Sequence, residues 1–170
     1  EGINCTWAGP RVPPTTCYEN AMINVSDTNN SNVSNTSEIF NITGSILVKT
    51  PNDGTQNWKA GSAAPNPGIT WTQYPYNLIT DIKYSLNNTT GPWLNITENY
   101  NANNSDASAP WNIPSNTNVS NKVLIKVQDA NHPGLANDAS NNTFNIIADY
   151  NITAPEDGVV VYINESYNIT

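Results

Sequence analysis

At 170 residues, the chain is long enough for one full domain of about 100 to 150 residues with chain to spare. Charged residues make up only 12% while 31 residues are Asn, against about 25% charged in an ordinary soluble protein, so something other than charge keeps the surface hydrated. Six Lys and Arg against 14 Asp and Glu give a net charge of -8, which repels a phosphate backbone and excludes nucleic acid as a partner.

No run approaches the roughly 18 to 20 apolar residues of a membrane span, so no transmembrane segment is expected in this chain. The opening Glu1-Gly2-Ile3-Asn4-Cys5 is neither a secretion signal nor the apolar helix of a pilin-like filament. Next, Cys5 and Cys17 bracket eleven residues that include Pro10, Pro13 and Pro14, a poor helix or strand but a workable surface loop. A disulfide closing that loop would contribute on the order of 3 kcal/mol in the chain-entropy model; a free thiol pair is the alternative. Zinc would need further Cys or His ligands, and the only His is His132.

From residue 45 onward, seven stretches alternate or run as β-branched blocks, and strands are expected at 45–50, 68–73, 79–86, 93–97, 111–113, 123–127 and 143–148. Between them lie Asn52-Asp53-Gly54, Pro65-Asn66-Pro67, Thr90-Gly91-Pro92 and Pro133-Gly134, residues that supply or fix the φ of tight turns. No segment has sustained helical periodicity. Seven strands in about 100 residues predict an all-β fold, an immunoglobulin-like Greek-key β-sandwich.

Internal similarity suggests that such sandwiches recur in tandem. Phe40-Asn41-Ile42 returns as Phe144-Asn145-Ile146, and Pro51-Asn52-Asp53-Gly54 as Pro155-Glu156-Asp157-Gly158, both 104 positions on. Ile23-Asn24-Val25-Ser26-Asp27 resembles Ile125-Lys126-Val127-Gln128-Asp129 at an offset of 102, and Gly68-Ile69-Thr70 resembles the closing Asn168-Ile169-Thr170. The economical division makes 1–44 the C-terminal part of a preceding immunoglobulin-like domain carrying the Cys5 and Cys17 loop, and 45–148 a complete domain. Residues 149–170 become the first strands of a following domain, or a strand supplied to a neighbouring subunit. The alternative is that both end segments are decorated tails.

Residues 45–148 resemble the immunoglobulin-like repeat of the Ser/Thr-rich, GPI-anchored cell-wall type, found in fungal, bacterial and archaeal surface proteins. Pro51-Asn52-Asp53-Gly54 followed by Trp58, then Ile69-Thr70-Trp71, is similar to that family's P-N-G-G-x-x-W and I-T-W. Tyr84-Ser85-Leu86-Asn87-Asn88, Gly91-Pro92-Trp93-Leu94-Asn95-Ile96 and Trp111-Asn112-Ile113-Pro114 resemble its strand, Gly-rich turn, Trp and W-x-[IV]-P. Val123 to Asp129, Asp138-Ala139-Ser140 and Phe144-Asn145-Ile146 are similar to its closing strands. Asp53 in place of Gly and an insertion before Ile69 depart from the pattern. The resemblance implies a fold, with no shared catalytic site to transfer.

The densest signal is the N-x-[ST] glycosylation acceptor. It occurs fifteen times, at Asn4, Asn24, Asn29, Asn32, Asn35, Asn41, Asn87, Asn88, Asn95, Asn103, Asn118, Asn141, Asn151, Asn164 and Asn168. Random placement of the same residues gives about 6, an excess of about 2.6-fold. Seven of the fifteen hold Val or Ile in the middle, which on a strand would turn the β-branched residue inward and the glycan outward. Sugars would then supply the hydration that Lys and Glu usually give and would shield sheet edges. Glycosylation of this density implies export, so the chain is expected outside the cell, at its surface.

Little else suggests chemistry. His132 lies in Ala130-Asn131-His132-Pro133-Gly134 and reads as an exposed turn residue; with scattered carboxylates and no G-x-S-x-G motif, no catalytic residue is assigned. No cofactor or metal is expected beyond covalent N-glycans. A secondary option is calcium held by Asp27, Asp129 and Asp138 with backbone carbonyls, although no EF-hand spacing occurs and solvated loop acids are the simpler reading. Trp71, Trp93 and Trp111 fall in strand blocks and read as core, while Trp58, Tyr74 and Tyr76 are freer. These three lie in the sequon-free gap between Asn41 and Asn87, where a bare face packed on another subunit is expected. The sequence therefore suggests a non-enzymatic structural glycoprotein that self-associates into a surface layer (S-layer), sheath or filament. The alternative is an adhesin or carbohydrate-binding stalk that displays Trp58, Tyr74 and Tyr76 to external glycans.

Overall fold

Period-two burial organises the chain. The computed structural model describes residues 18–150 and 152–170, and among these residues it is all-β, with no helix. In chain order the strands are β1 Tyr18–Ala21, β2 Asn24–Ser26, β3 Ser34–Thr36, β4 Phe40–Ile42, β5 Ser45–Thr50, β6 Asn57–Lys59 and β7 Ile69–Tyr74. They continue with β8 Ile79–Ser85, β9 Leu94–Asn101, β10 Asp106–Ala109, β11 Ser120–Asp129, β12 Asn137–Ala139 and β13 Phe144–Ile147.

Strands β5 to β13 build a β-sandwich-like body. One sheet has the order β10-β7-β5, and the other β6-β13-β11-β8-β9, with β12 also paired to β11. Alternate residues of both sheets point into one core: Ile46 and Val48 of β5, Ile69 and Trp71 of β7, Ile82 and Tyr84 of β8, Val123, Ile125 and Val127 of β11, and Phe144 and Ile146 of β13. Burying each large side chain contributes about 1.5 to 3 kcal/mol. Between β5 and β6, Pro51-Asn52-Asp53-Gly54 carries the chain from the first sheet to the second. There β6 pairs in parallel with β13, placing Asn57 beside Asn145, Trp58 beside Ile146 and Lys59 beside Ile147.

The expected strand 45–50 coincides with β5, and five others lie within a few residues of β7, β8, β9, β11 and β13. Residues 111–113 are not a strand: Trp111 and Ile113 are buried, but Asn112 makes only an isolated bridge to Ala63. Within the sandwich body three strands escaped the sequence reading. In β10, Ala107 and Ala109 stand in register with Trp71 and Ile69; small residues there leave room for the large ones, so the strand has no β-branched signature. β6 and β12 are three-residue strands held by their neighbours.

The only non-glycine residues with positive φ among those described are five asparagines, Asn20, Asn88, Asn99, Asn103 and Asn164, the residue type that tolerates the left-handed region best after glycine. Gly68, at φ +84, is held against the Ala109 carbonyl, where a Cβ would collide with the oxygen.

Before β5 the chain forms a two-part ribbon, β1 with β4 and β2 with β3. Its pairing matches that of β11 with β12 and β13 in register. Tyr18 faces Ile42 and Ala21 faces Phe40, as Ser120 faces Ile146 and Val123 faces Phe144. Asn24, Val25 and Ser26 face Thr36, Asn35 and Ser34, as Lys126, Val127 and Gln128 face Ala139, Asp138 and Asn137. Side chains follow the same scheme: Ser37 N donates to Ile23 O at 2.8 Å and Ile23 N to Ser37 Oγ at 2.9 Å. In the sandwich, Ser140 N donates to Ile125 O at 2.9 Å and Ile125 N to Ser140 Oγ at 3.1 Å. The ribbon nevertheless contributes no residue to the core.

Residues 152–170 form no strand. Thr153 N and Ala154 N donate to Thr170 O at 2.6 and 3.1 Å. The apolar run 159–163 lies exposed, Ile163 at 92%.

Candidate functional site

The sequon asparagines occupy the surface. Of the thirteen among the described residues, twelve are exposed and Asn24 is half-buried; Asn4, Asn151 and the Cys5 and Cys17 pair lie outside the described residues. Exposure alone does not separate them from the other asparagines, most of which are exposed too. Nor does the amide nitrogen, which most described asparagines of either kind keep off the protein. Among the described sequon residues only Asn24 Nδ2, to Thr36 Oγ1 at 2.8 Å, and Asn95 Nδ2, to Glu98 Oε1 at 2.7 Å, donate within the protein. Outside sequons five of the sixteen described asparagines, Asn52, Asn57, Asn137, Asn142 and Asn145, spend Nδ2 on internal acceptors. A glycan is joined through that nitrogen, so eleven acceptors have it free of protein partners.

The inward-facing middle residue holds in part. Ile42 and Ile96 are half-buried between their Asn and Thr, but Val33, Val119 and Ile169 are exposed. Their triplets lie at strand ends or outside strands, where alternation has no second layer to bury against.

The aromatic residues divide differently from the sequence expectation. Trp58 is 3% exposed and packs on Phe144 at 4.9 Å and Trp111 at 6.0 Å, so it belongs to the core and is removed from any interface or sugar platform. Trp93, expected in the core, is half-exposed, with Lys126 Nζ 5.8 Å above its ring, a cation–π contact. Tyr74 and Tyr76 are 62% and 49% exposed. Their turn is anchored by buried Gln73, whose Nε2 donates to Tyr76 O at 2.7 Å and Leu78 O at 3.3 Å.

His132 is half-buried rather than exposed; its Nδ1 lies 3.8 Å from Asp129 Oδ2. Asp129 is buried and its Oδ1 accepts from Asn131 N at 2.8 Å and His132 N at 3.3 Å. Asp27 makes the equivalent turn, accepting from Asn29 N at 2.7 Å and Asn30 N at 3.3 Å, and Asp138 Oδ2 accepts from Val48 N at 2.8 Å, joining the two sheets. Among the described residues no three His, Cys, Asp or Glu side chains gather as a metal-holding group. Two carboxyls sit below their ordinary value: Asp53, through hydrogen bonds from the backbone and side chain of Thr55, and Asp149, through its hydrogen bond and charge contact with Lys59. An open groove of about 520 Å³ beside the end of β13 is lined by Val119, Asn145, Ile147 and Tyr150 among others. No carboxylate, imidazole or thiol lines it.

No helix among the described residues is long and apolar enough to cross a membrane. The chain matches no protein-family model and no curated protein sequence.

Proposed function

We propose that the chain is a non-enzymatic, heavily N-glycosylated structural protein of the cell surface, built from tandem immunoglobulin-like sandwiches that assemble into a layer, sheath or filament. One observation carries the repeat: the ribbon 18–42 matches the β11, β12 and β13 hairpin in register, down to a serine hydroxyl accepting from the same isoleucine amide. Two segments related by 102 to 104 positions that adopt one hydrogen-bond scheme support a duplicated unit. The immunoglobulin-like topology is supported by the two sheet orders, by the crossing between sheets after β5 and by the parallel pairing of β6 with β13. The excess of sequons supports the glycan coat, and eleven of the thirteen described acceptors have the amide nitrogen open for attachment.

The test is glycopeptide mass spectrometry with electron microscopy of native material. Glycans on most of the exposed sequons and ordered polymers without added ligand are the expected results; sugar-free material would overturn the coat. A carbohydrate-binding stalk, with Trp58 in the core, keeps only Tyr74 and Tyr76 as a platform, and glycan-array binding abolished by Tyr76→Ala would favour it.

A further inference from the structure

Two segments outside the sandwich carry sequences that pair with each other inside it. Strand β4 repeats the Phe144-Asn145-Ile146 of β13, and residues 160–164 stand 104 positions after 56–60, the stretch that contains β6. In the sandwich these two elements form a parallel pair, fixed by Asn145 N donating to Gln56 O at 3.0 Å and Ala60 N to Ile147 O at 3.0 Å. Outside it both lie open: Phe40 is 37% and Tyr162 67% exposed, where their counterparts Phe144 and Trp58 are 0% and 3%.

We propose that residues 160–164 of one copy of this chain add in parallel to β4 of a second copy, in the register that β6 holds against β13; the pairing rests on the tandem-repeat reading above. Asn41 then stands beside Val161, Ile42 beside Tyr162 and Thr43 beside Ile163. Asn41 N donates to Val160 O, and Asn164 N to Thr43 O. Tyr162 packs on Phe40 as Trp58 packs on Phe144, aromatic on aromatic. Asn41 stays on the outer face, as Asn145 does, so its sequon remains accessible. The run Val159-Val160-Val161-Tyr162-Ile163 has no charge and no proline, and β4, which among the described residues pairs with β1 alone, offers its other edge as a template for such a strand.

The poles of the sandwich select a second copy over the same one. At one end Ser45 stands beside Tyr74, and Val48 N is bonded to Asp138, early in the β12 and β13 arm. At the other end Ile147, last in that arm, stands beside Lys59. The ribbon therefore joins at one pole and residues 149–170 leave from the other. Tail-to-ribbon contact between copies is head-to-tail, and such a contact propagates into an open chain unless its rotation closes a ring.

The test mixes two full-length single variants, Asn41→Cys and Val161→Cys, oxidises them and reads linked peptides by mass spectrometry. Neighbouring strands bring Cα atoms to about 5 Å, within the disulfide range. A peptide carrying residue 41 linked to one carrying residue 161, at about tenfold the yield with Val160→Cys, whose side chain faces the other side, is expected. Equal yields, no link, or a link that forms only within a doubly substituted chain would overturn the pairing. As a second measurement, Tyr162→Asp is expected to reduce assemblies to single copies with the melting of the sandwich unchanged; unaltered assemblies also overturn it. Glycosylated polymers lacking the 41–161 link would sink the pairing alone, whereas sugar-free native material would sink the coat and leave the pairing to its own result.

Discussion

The indole Nε1 of Trp71 donates to Gln73 Oε1 at 2.8 Å, between two side chains with no exposed surface. With its amide nitrogen on Tyr76 O and Leu78 O, Gln73 ties the core to the turn that presents Tyr74 and Tyr76. Gln73→Leu leaves the indole N–H and the Tyr76 carbonyl without partners. An unsatisfied buried group costs about 1 to 3 kcal/mol, so chemical denaturation is expected to register a loss of about 2 to 4 kcal/mol. A loss below about 0.5 kcal/mol would show that the network contributes little.

Gly68→Ala combines an unfavourable left-handed φ with a Cβ driven into the Ala109 carbonyl. The conformational part alone is about 1 to 2 kcal/mol, and the backbone contact adds to it, so the thermal midpoint is expected to fall clearly. Gly134→Ala, with nothing within 4 Å of its added Cβ, is the matched control and should melt like the parent.

Ser140→Ala and Ser37→Ala remove the same hydroxyl from two copies of one motif. The first leaves the buried Ile125 amide unpartnered and is expected to lower global stability by about 1 to 2 kcal/mol. The second acts on the ribbon, which holds no core residue; the global melt should stay put while amide exchange at Ile23 quickens.

Asp149 is held below the ordinary carboxylate value by Lys59 Nζ at 2.6 Å. A carboxyl depressed in the folded chain contributes at pH values above its unfolded value, and that contribution is lost as pH falls through the lower folded one. The contact between β6 and residue 149 is thus expected at neutral pH and to dissolve only in acid. Carboxyl NMR titration should move Asp149 upward in Lys59→Met; an unmoved titration would assign the depression elsewhere.

Site occupancy should follow the amide nitrogen. Asn87 and Asn88, exposed in the turn between β8 and β9 with no internal Nδ2 bond, are expected to carry sugar on one of the pair, and Asn24 to be the least occupied described sequon. Full occupancy at Asn24 in glycopeptide mass spectra would show that its bond to Thr36 is no obstacle.

What could be read from the sequence was what local pattern determines. β5, β7 and β8 bury every second residue, so alternation located them. The pairings shared by 18–42 and 120–147 were legible as paired motifs at offsets of 102 and 104 positions, because strands of like sequence make like contacts while the loops between them differ in length. Trp58 was misjudged because β6 is three residues long, too short for a period to show, and the ring is buried by Phe144 of its parallel neighbour β13 and by Trp111. The alanines of β10 were silent for the opposite reason: their smallness is an answer to Trp71 and Ile69, which lie far along the chain. For Gln73 no local cue tells that three polar groups converge on it.

The left-handed asparagines bear on how the proposed coat can be probed by mutation. Asn88, Asn103 and Asn164 are at once acceptors and positive-φ turn formers. The customary exchange of acceptor for glutamine would, at these three places, bend the main chain as well as delete the sequon. Aspartate, which visits the same backbone region more readily, separates the two effects. Elsewhere, as at Asn118 or Asn141, glutamine deletes the acceptor without that side effect, since neither residue has a positive φ.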